Sequence, residues 1–316
     1  MSRATTTKAR IRSAEVRLRE AATVAEAVGA AEELLEAGGV DGREALLAAS
    51  HLTGVKPAEL RLRMGGLRAA PRLPAALASV VERRVGRREP LQYILGEQEF
   101  RGLALAVTPD VLIPRPETEL VVDEALRALG VMEERAPWDG DGPAVLDLCT
   151  GSGAIAVAMA LERPDARVVA ADISEPALAV ARSNAERHGV ADRLEFVAGD
   201  LFDALDDAAF AGPFDLVVSN PPYVASADIE GLDPELFHEP RIALDGGPDG
   251  LRFIGRIARE AAPRLRRGAA VVVEIGYGQG GDVEHIFRAA GRYGAFALRR
   301  DYAGIERIAT AWLGGE

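Results

Sequence analysis

Residues 145–153 read VLDLCTGSG, and this stretch decides the fold. Its first four residues form a short, mostly apolar run that predicts a buried parallel strand. The small residues that follow let the backbone turn sharply and approach a ligand closely, and a helix is predicted from residue 153. The turn lacks the Lys-Ser/Thr pair of a phosphate loop and is shorter than the GxGxxG dinucleotide motif. The stretch therefore predicts a strand, a turn and a helix around a ligand without a pyrophosphate.

The alternation of strand and helix continues to the C-terminus. Short apolar runs rich in β-branched residues are separated by segments of helical spacing, which is typical of a doubly wound, mostly parallel sheet. Strands are predicted at residues 144–148, 167–172, 194–199, 214–219, 269–275, 294–299 and 305–312, and helices at 153–162, 175–188, 249–263 and 280–290. The fold class is therefore α/β, with a seven-stranded Rossmann-like sheet whose last pair is antiparallel.

The N-terminal part of the chain follows a different pattern. Residues 24–90 have apolar side chains at helical spacing and predict a small helical domain, which serves either as a structural cap or as a docking surface. Residues 91–113 change to strand spacing around the turn at Arg101-Gly102, and we expect a β-hairpin linker there. Residues 1–23 are polar and basic, and we expect an extension that is either disordered or partly helical from Ile11. The main domain then spans residues 114–316.

Charge and cysteine content narrow the class of protein. Residues 1–90 carry 16 Lys and Arg against 11 Asp and Glu, and the remainder carries 21 against 38, so the net charge is +5 before residue 91 and −17 after it. So acidic a main domain argues against a broad surface for duplex binding. The single cysteine, Cys149, excludes an intrachain disulfide and favours a reducing compartment. Apolar runs are too short for a membrane span or a signal peptide, so we expect a soluble, cytoplasmic protein.

Two aspartates close consecutive predicted strands. Asp172 ends the run VVAAD, and Asp200 ends the run FVAGD. A carboxylate at the first position can accept both hydroxyls of a ribose, and one at the second can accept from an adenine amino group while Leu201 lines the ring. Capping aspartates in ordinary loops are the alternative interpretation. With the glycine turn, the pair suits a nucleoside without a pyrophosphate, namely S-adenosylmethionine.

The fourth predicted strand of the main domain ends in residues 219–223, SNPPY. Two consecutive prolines stiffen the loop and remove two N–H donors, so its carbonyls can only accept hydrogen bonds. We call Asn220, Pro221, Pro222 and Tyr223 the clamp. The side-chain oxygen of Asn220 and the Pro221 carbonyl can accept the two hydrogens of a planar NH₂ group, while the Tyr223 ring lies on its face. A side-chain amide fits the clamp, as does the amino edge of adenine; a turn that only ends the strand is the alternative.

These motifs resemble those of class I amino-methyltransferases. Four further stretches make the chain similar to the HemK/PrmC family: LQYILG at 91–96 followed by Glu99-Phe100, LIPRPETE at 112–119, Glu239-Pro240 with ALDGGPDGL at 243–251, and RDY at 300–302. The resemblance covers about residues 24–313 and is stronger from residue 91 onward. Members of this family methylate the glutamine side-chain amide of peptide chain release factors.

The resemblance implies roles for individual residues. We expect S-adenosylmethionine binding at Cys149, Thr150, Gly151, Ser152, Gly153, Asp172, Asp200, Leu201 and Asn220, catalysis at Asn220, Pro221, Pro222 and Tyr223, and substrate binding at those four together with Arg115 and Glu117. Cys149 departs from the family, which usually has glycine at this position. A small thiol should be tolerated there if its φ is negative, and we expect no metal or redox role for Cys149, because no second thiol or clustered ligand accompanies it.

The resemblance also implies the reaction and its partners. We expect methyl transfer from S-adenosylmethionine to the side-chain amide nitrogen of the glutamine in the Gly-Gly-Gln motif of release factors, by a monomer that uses no metal, no membrane and no direct nucleic-acid contact. An adenine-amino DNA methyltransferase is the first alternative, since it would use the same clamp on a flipped base, but it requires a basic duplex-binding surface. An inactive cofactor-binding scaffold is the second, and the intact clamp argues against it.

Overall fold

The computed structural model describes residues 3–135, 138, 142–206 and 208–314, with side chains described from residue 11 onward. It comprises two units. The helical unit is Met1–Gly96 together with Pro234–His238, and the sheet unit is Glu97–Asp233 together with Glu239–Glu316. The division at residue 96 lies six residues beyond the predicted end of the helical domain.

Among the described residues, the helical unit contains six α-helices around one apolar core. They are α1 (Arg3–Glu20), α2 (Val24–Ala37), α3 (Glu44–Thr53), α4 (Pro57–Arg63), α5 (Leu73–Gly86) and α6 (Leu91–Leu95). Thr23 caps α2: its side-chain oxygen accepts from the backbone N–H of Glu26, and the Glu26 carboxylate accepts from the backbone N–H of Thr23. The helical pattern of residues 24–90 is therefore realised in four of these helices.

Residues 3–20 form α1, so the extension is helical rather than disordered, and its helix begins before Ile11. Ala14 and Leu18 on this helix are each 1% exposed and belong to the core of the helical unit. Side chains four residues apart lie on the same face of a helix, so this pair provides a narrow apolar contact. The largely polar composition of residues 1–20 obscured that contact in the sequence.

The segment Pro234–His238 joins the helical unit from far along the chain. Glu235 forms ion pairs with Arg84, at 3.0 Å, and with Arg88, at 2.7 Å. The His238 ring lies 2.8 Å from the carbonyl oxygen of Arg87. No local pattern in the sequence indicated this placement, which depends on charges 150 residues apart.

The sheet unit is built, within its described residues, on one seven-stranded sheet of order β5-β4-β3-β6-β7-β9-β8. The strands are β3 (Ala144–Leu148), β4 (Arg167–Asp172), β5 (Leu194–Ala198), β6 (Phe214–Ser219), β7 (Leu265–Glu274), β8 (Tyr293–Arg300) and β9 (Glu306–Leu313). The first five are parallel, and β9 pairs antiparallel with both β7 and β8. The predicted fold class, including the antiparallel last pair, is confirmed.

Helices cover both faces of this sheet. They are α7 (Pro116–Arg135), α8 (Ala154–Glu162), α9 (Glu175–Arg187), α10 (Arg252–Glu260) and α11 (Gly280–Ala289). Alternate residues of the strands enter different cores: Leu216 and Val218 of β6 pack with α7 and α8, whereas Val217 packs with α10 and α11. This two-sided burial explains why the parallel strands are continuously apolar in the sequence.

The predicted hairpin linker is placed differently in the structure. Residues 91–95 form α6, and the hairpin consists of β1 (Glu97–Phe100) and β2 (Leu103–Ala106) within the sheet unit. Its backbone is held to α9, because Ala106 N donates to Asn184 Oδ1 at 2.7 Å and Asn184 Nδ2 donates to Ala106 O at 3.0 Å. Phe100 and Leu105 are buried in the core, so the hairpin is an integral part of the sheet unit.

Candidate active site

A cleft of about 360 Å³ opens where the parallel strands end, a size typical of small-molecule sites. In the sheet, β3 lies between β4 and β6, so the order of the strands reverses between β3 and β6. The carboxyl ends of these two strands therefore form the switch point at which α/β sheets bind ligands. Of the predicted site residues, the cleft is lined by Cys149, Thr150, Gly151, Ser152, Asp172, Asp200, Leu201, Asn220 and Pro222. Gly153, Pro221, Tyr223, Arg115 and Glu117 are outside its lining.

The glycine turn is anchored from below by Asp147, a buried carboxylate on β3. Thr150 Oγ1 donates to Asp147 Oδ2 at 2.6 Å, and Ala156 N donates to the same oxygen at 3.1 Å. Gly153 begins α8 with a φ of 79°, and a Cβ there would lie 3.0 Å from the Cβ of Ala181. Gly153 therefore permits close packing of α8 and α9 although it does not line the cleft.

The side chain of Asp147 is unusual because it is an acidic group that is fully buried. Its side chain is 0% exposed, and within the described part of the chain its Oδ1 has no hydrogen-bond partner. Burial raises the pKa of Asp147 to about 7, although the hydrogen bonds from Thr150 and Ala156 act in the opposite direction. The carboxyl group thus changes charge near neutral pH.

Cys149 has a φ of +58°, so it does not meet the condition of a negative φ under which a thiol would be tolerated without strain. This left-handed conformation costs a non-glycine residue about 1–2 kcal/mol, which explains the preference for glycine at the position. Burial and the nearby Asp172 and Asp147 carboxylates raise the pKa of the Cys149 thiol, so it stays neutral. The cysteine is therefore a strained but unreactive part of the turn.

Asp172, at the end of β4, is tied to the glycine turn. Its Oδ2 accepts from Gly151 N at 2.8 Å, and its Oδ1 accepts from Ser174 N at 2.9 Å. Burial raises the pKa of Asp172, and the backbone amides of Ser174, Gly151 and Ile173 counteract that rise. Each carboxylate oxygen keeps a further lone pair, so the half-buried side chain could still hold two hydroxyls of a ligand.

Asp200 has a partner that the sequence did not indicate. Arg256 on α10 lines the cleft and donates to Asp200 Oδ2 at 2.7 Å, while its Nε lies 2.9 Å from Glu260 Oε1. Leu201 follows Asp200 with a φ of +55° and lies buried against the cleft. The corner at Asp200 and Leu201 could thus hold a polar edge and a flat apolar face of a ligand, with Arg256 fixing the carboxylate.

The clamp is hydrogen-bonded to two side chains that the sequence analysis had not singled out, Thr118 on α7 and Glu274 at the end of β7. Asn220 Nδ2 donates to Thr118 Oγ1 at 3.1 Å, and Thr118 Oγ1 donates to Glu274 Oε2 at 2.7 Å. Tyr223 donates its hydroxyl to Glu274 Oε1 at 3.1 Å. A single carboxylate thus connects the Asn220 and Tyr223 ends of the clamp.

Glu274 is only 1% exposed. Burial raises the pKa of Glu274 to about 7, against the opposing effects of its hydrogen bonds from Thr118 and Tyr223 and of the Arg307 charge. The sequence contained only weak signals for Thr118 and Glu274. Thr118 lies within the LIPRPETE stretch, and Glu274 is a lone acid that ends a buried apolar strand.

The end of the clamp and the residue after it are held by Leu244, Gly250 and Gln279. Val224 N donates to Leu244 O at 3.0 Å, and Gln279 Nε2 donates to Tyr223 O at 3.0 Å. Gly250, with a φ of +76°, lies against the carbonyl of Tyr223 with no room for a Cβ. The close approach of Gly250 to Tyr223 explains the need for glycine at this position.

Arg115 and Glu117 have surroundings of their own. Arg115 Nη2 donates to Oε1 of Glu239, a residue 6% exposed, and Ile113 N lies 3.4 Å from its other carboxylate oxygen. The pair Arg115–Glu239 therefore fixes the Pro-Arg-Pro loop. Glu117 is half-buried on the first turn of α7, where its charge contributes to the raised pKa of Glu274. A substrate role for either residue stays a prediction.

The described residues contain no group of three or more His, Cys, Asp or Glu side chains arranged to hold a metal ion. None of the helices described has the length and apolar character needed to cross a bilayer.

This sheet order, with a glycine turn, strand-end acids and a clamp at the switch point, defines the class of S-adenosylmethionine-dependent methyltransferases. Residues 139–244 match the family model described as a methyltransferase domain, and residues 26–96 match the PrmC N-terminal domain. A crystal structure of the hMettl16 catalytic domain with MAT2A 3′UTR hairpin 1 aligns with a TM-score of 0.55 and 14% identity, over 85% of this chain and 92% of that one. The human methyltransferase 10 domain containing protein aligns with a TM-score of 0.51 and 17% identity, over 68% and 90%. These likenesses concern the fold.

Relatives found by sequence identify the family and not only the fold. Release factor glutamine methyltransferase from Gloeobacter violaceus is 44% identical over 81% of this chain and 86% of its own. The proteins of that name from Bordetella pertussis and Moorella thermoacetica are 43% and 39% identical, over 89% and 92% of this chain and 98% of their own lengths. The chain belongs to the release factor glutamine methyltransferase family, and the predicted family, enzyme class and cofactor are confirmed.

Proposed function

We propose that this protein transfers a methyl group from S-adenosylmethionine to the side-chain amide nitrogen of the glutamine in the Gly-Gly-Gln motif of peptide chain release factors. The observation that carries this proposal is the hydrogen bond from Asn220 Nδ2 to Thr118 Oγ1. Because the NH₂ group of Asn220 is engaged there, its carbonyl oxygen is left to accept a hydrogen from a substrate NH₂.

The cleft suits S-adenosylmethionine in the chemistry of its lining. Asp172 offers free lone pairs for ribose hydroxyls, and the corner at Asp200 and Leu201 offers an acceptor beside an apolar surface for adenine. The glycine turn from Cys149 to Gly153 brings backbone close to the ligand at the start of α8. Asn220 lines the same cleft, so cofactor and target amide would meet at the clamp.

The cofactor supplies a methyl group on a sulfonium, which is already activated, so the protein mainly has to position the acceptor nitrogen. An amide nitrogen is a poor nucleophile, because its lone pair is conjugated with the carbonyl. Asn220 Oδ1 and the Pro221 carbonyl accept its two hydrogens and move electron density toward that nitrogen. The Tyr223 ring holds the amide plane. Acceptor dipoles also stabilise positive charge that develops on the nitrogen, and its proton can leave afterwards without a dedicated base.

We further propose that residues 24–90 dock the release factor while the sheet unit carries the chemistry. The helical unit exposes apolar side chains, with Leu47 at 47% and Leu62 at 88% exposure. Single exposed leucines are common on soluble proteins, but a protein substrate needs such anchors. We propose that the enzyme acts as a monomer, without nucleic acid, in the cytoplasm, where its protein substrate takes part in translation.

The test is incubation with labelled S-adenosylmethionine and purified release factors, followed by mass-spectrometric mapping of the methylated residue. We expect one methyl group on the Gly-Gly-Gln glutamine. A release factor with glutamate at that position should accept none, because it has no NH₂ for the clamp. A duplex containing adenine serves as the parallel substrate. Methylation of that duplex in place of the release factor would overturn the proposal.

A further inference from the structure

We propose that Glu274 is a positioning residue that sets the direction of the hydrogen bonds in the clamp, so that Asn220 presents its carbonyl oxygen to the substrate. This inference rests on the proposed function of the clamp. It concerns a residue outside the SNPPY stretch, 54 positions further along the chain than Asn220.

The single hydroxyl proton of Thr118 sets the direction of both of its hydrogen bonds. A carboxylate has no hydrogen to give, so the 2.7 Å contact between Thr118 Oγ1 and Glu274 Oε2 requires the threonine to donate. A hydroxyl has one hydrogen, and once it is committed to Glu274 the oxygen can only accept from its other neighbour. That neighbour, 3.1 Å away, must therefore be the NH₂ group of Asn220. The direction of each bond follows from the charge at Glu274.

The second arm of Glu274 reaches Tyr223. The Tyr223 hydroxyl donates to Glu274 Oε1 at 3.1 Å, and burial further favours the neutral phenol by raising its pKa. The Tyr223 ring, which lies on the substrate amide, and the Asn220 side chain, which accepts a hydrogen from that amide, are thus both positioned by the buried Glu274. Since Glu274 ends β7 and Thr118 lies on the first turns of α7, rigid elements hold both supports.

The direction of these bonds has a consequence for specificity. If Asn220 were turned over, it would present an NH₂ donor at the position where the substrate NH₂ also donates. A reversed clamp would suit a carboxylate or carbonyl and would leave the target amide without its acceptor. Glu274 therefore favours glutamine over glutamate in the clamp through Thr118, without touching the substrate.

Protonation of Glu274 would relax this constraint, because a carboxylic acid can donate to Thr118 or Tyr223. The groups that face Glu274 are Thr118 and Tyr223 through hydrogen bonds, Arg307 on β9, whose positive charge lowers the pKa of the carboxyl group, and Glu117 on α7, whose negative charge raises it. With the pKa of Glu274 at about 7, we expect turnover to rise with pH through neutrality as the carboxylate forms.

Three variants of the full-length enzyme test the inference, with kcat and KM for the release factor measured between pH 6 and 8.5. Thr118→Val keeps the shape but removes the relay, and we expect kcat to fall about tenfold to a hundredfold with little change in KM. Thr118→Ser keeps the hydroxyl and should retain most of the turnover. Glu274→Gln resembles the protonated acid at every pH, so its kcat should lie near the low-pH value of the wild type and lose the rise through neutrality.

A readout that does not need activity separates this inference from the proposed function. In ¹⁵N spectra, the side-chain NH₂ signals of Asn220, assigned by their loss in Asn220→Ala, should be slow to exchange in the wild type and exchange faster in Thr118→Val. Calorimetric S-adenosylmethionine binding, unchanged in the three variants, would confirm that they are folded. A wild type that does not methylate release factors but has protected Asn220 signals would refute the function alone. Wild-type kcat in Thr118→Val, or an unchanged pH rise in Glu274→Gln, would overturn the role of Glu274.

Discussion

Gly246 packs so closely on Pro222 that a Cβ built at this glycine would lie 2.7 Å from the carbonyl oxygen of Pro222. Gly246 N also donates to Val224 O at 2.8 Å, so the chain on both sides of Tyr223 is fixed by one glycine. Real Cβ atoms do not approach carbonyl oxygens so closely, and an added methyl would therefore push the loop. The position of the clamp thus depends on a residue that has no side chain and lies outside the lining of the cleft.

We expect Gly246→Ala to lower kcat for release factor methylation at least tenfold, because displacement of the Pro222 carbonyl misplaces the clamp relative to the methyl donor. Cofactor affinity should change little, since Gly246 does not line the cleft. Gly231→Ala is the matched control, because a Cβ at Gly231 meets nothing within 4 Å. Steady-state kinetics and calorimetry distinguish the two outcomes. Equal kcat in both variants would show that the loop adjusts without cost.

The clamp itself gives a second prediction. Asn220→Ala should lower turnover roughly a hundredfold or more at saturating cofactor, because it removes a preorganised acceptor aimed at the reacting group. Tyr223→Ala should be similarly severe. Tyr223→Phe should be milder, because the ring stays, although Glu274 loses a hydrogen bond. Single-turnover rates with the cofactor prebound measure this order directly. Near wild-type turnover in Asn220→Ala would contradict the amide-clamp mechanism.

A third prediction concerns the cofactor. Asp172→Ala should weaken S-adenosylmethionine binding by roughly 1.5–3 kcal/mol, since hydrogen bonds to a charged acceptor have about that strength. Part of the loss would come from the glycine turn, because Gly151 N donates to the same carboxylate. Asp192→Ala, at an exposed residue outside the cleft, is the control. If calorimetry gave the same affinity for both variants, Asp172 would not belong to the cofactor site.

The sequence was sufficient for the sheet and for most of the cleft because those features are local. A buried strand, the turn that follows it and an acid at its end are contiguous, so Asp172 and Asn220 could be recognised from their own neighbours. The roles of Arg256, Thr118 and Glu274 could not be recognised in this way, although Glu274 also ends a buried strand, because each acts through a partner about 50 to 160 residues away. The φ of Cys149 could not be derived from the residue type for a related reason: its left-handed backbone is imposed by the packing of the turn rather than by the residue's own preference.

Asp147 predicts a pH dependence of stability. Its pKa in the folded protein is about 7, well above its ordinary value of 3.8, so the native state holds the proton more tightly than the unfolded state. The proton on Asp147 therefore stabilises the folded state fully below the pKa that Asp147 has in the unfolded chain, and this stabilisation is lost as pH rises through about 7. The unfolding free energy should fall by roughly 2–3 kcal/mol between pH 5 and 8 from this group.

Urea unfolding at pH 5 and pH 8 provides the measurement. Asp147→Asn cannot titrate, so the difference in unfolding free energy between the two pH values should shrink relative to the wild type. Glu274→Gln should reduce it as well, because burial raises the pKa of Glu274 to about 7. If Asp147→Asn kept the full wild-type difference in unfolding free energy between pH 5 and pH 8, the pKa of Asp147 would not be raised by its burial.

The last prediction addresses release factor docking by the helical unit. Leu62 on α4 is 88% exposed, so Leu62→Ser should leave the fold intact while removing an apolar anchor. We expect KM for the whole release factor to rise about fivefold, in line with the roughly 1 kcal/mol carried by a typical contributing interface residue, whereas kinetics with a short glutamine peptide should not change. Val16→Ser on α1, an apolar side chain 48% exposed and outside residues 24–90, is the matched control. The docking proposal needs the effect to be specific to the protein substrate. A loss of equal size on the peptide, or an equal effect of Val16→Ser, would show that Leu62 acts through general stability rather than through contact with the release factor.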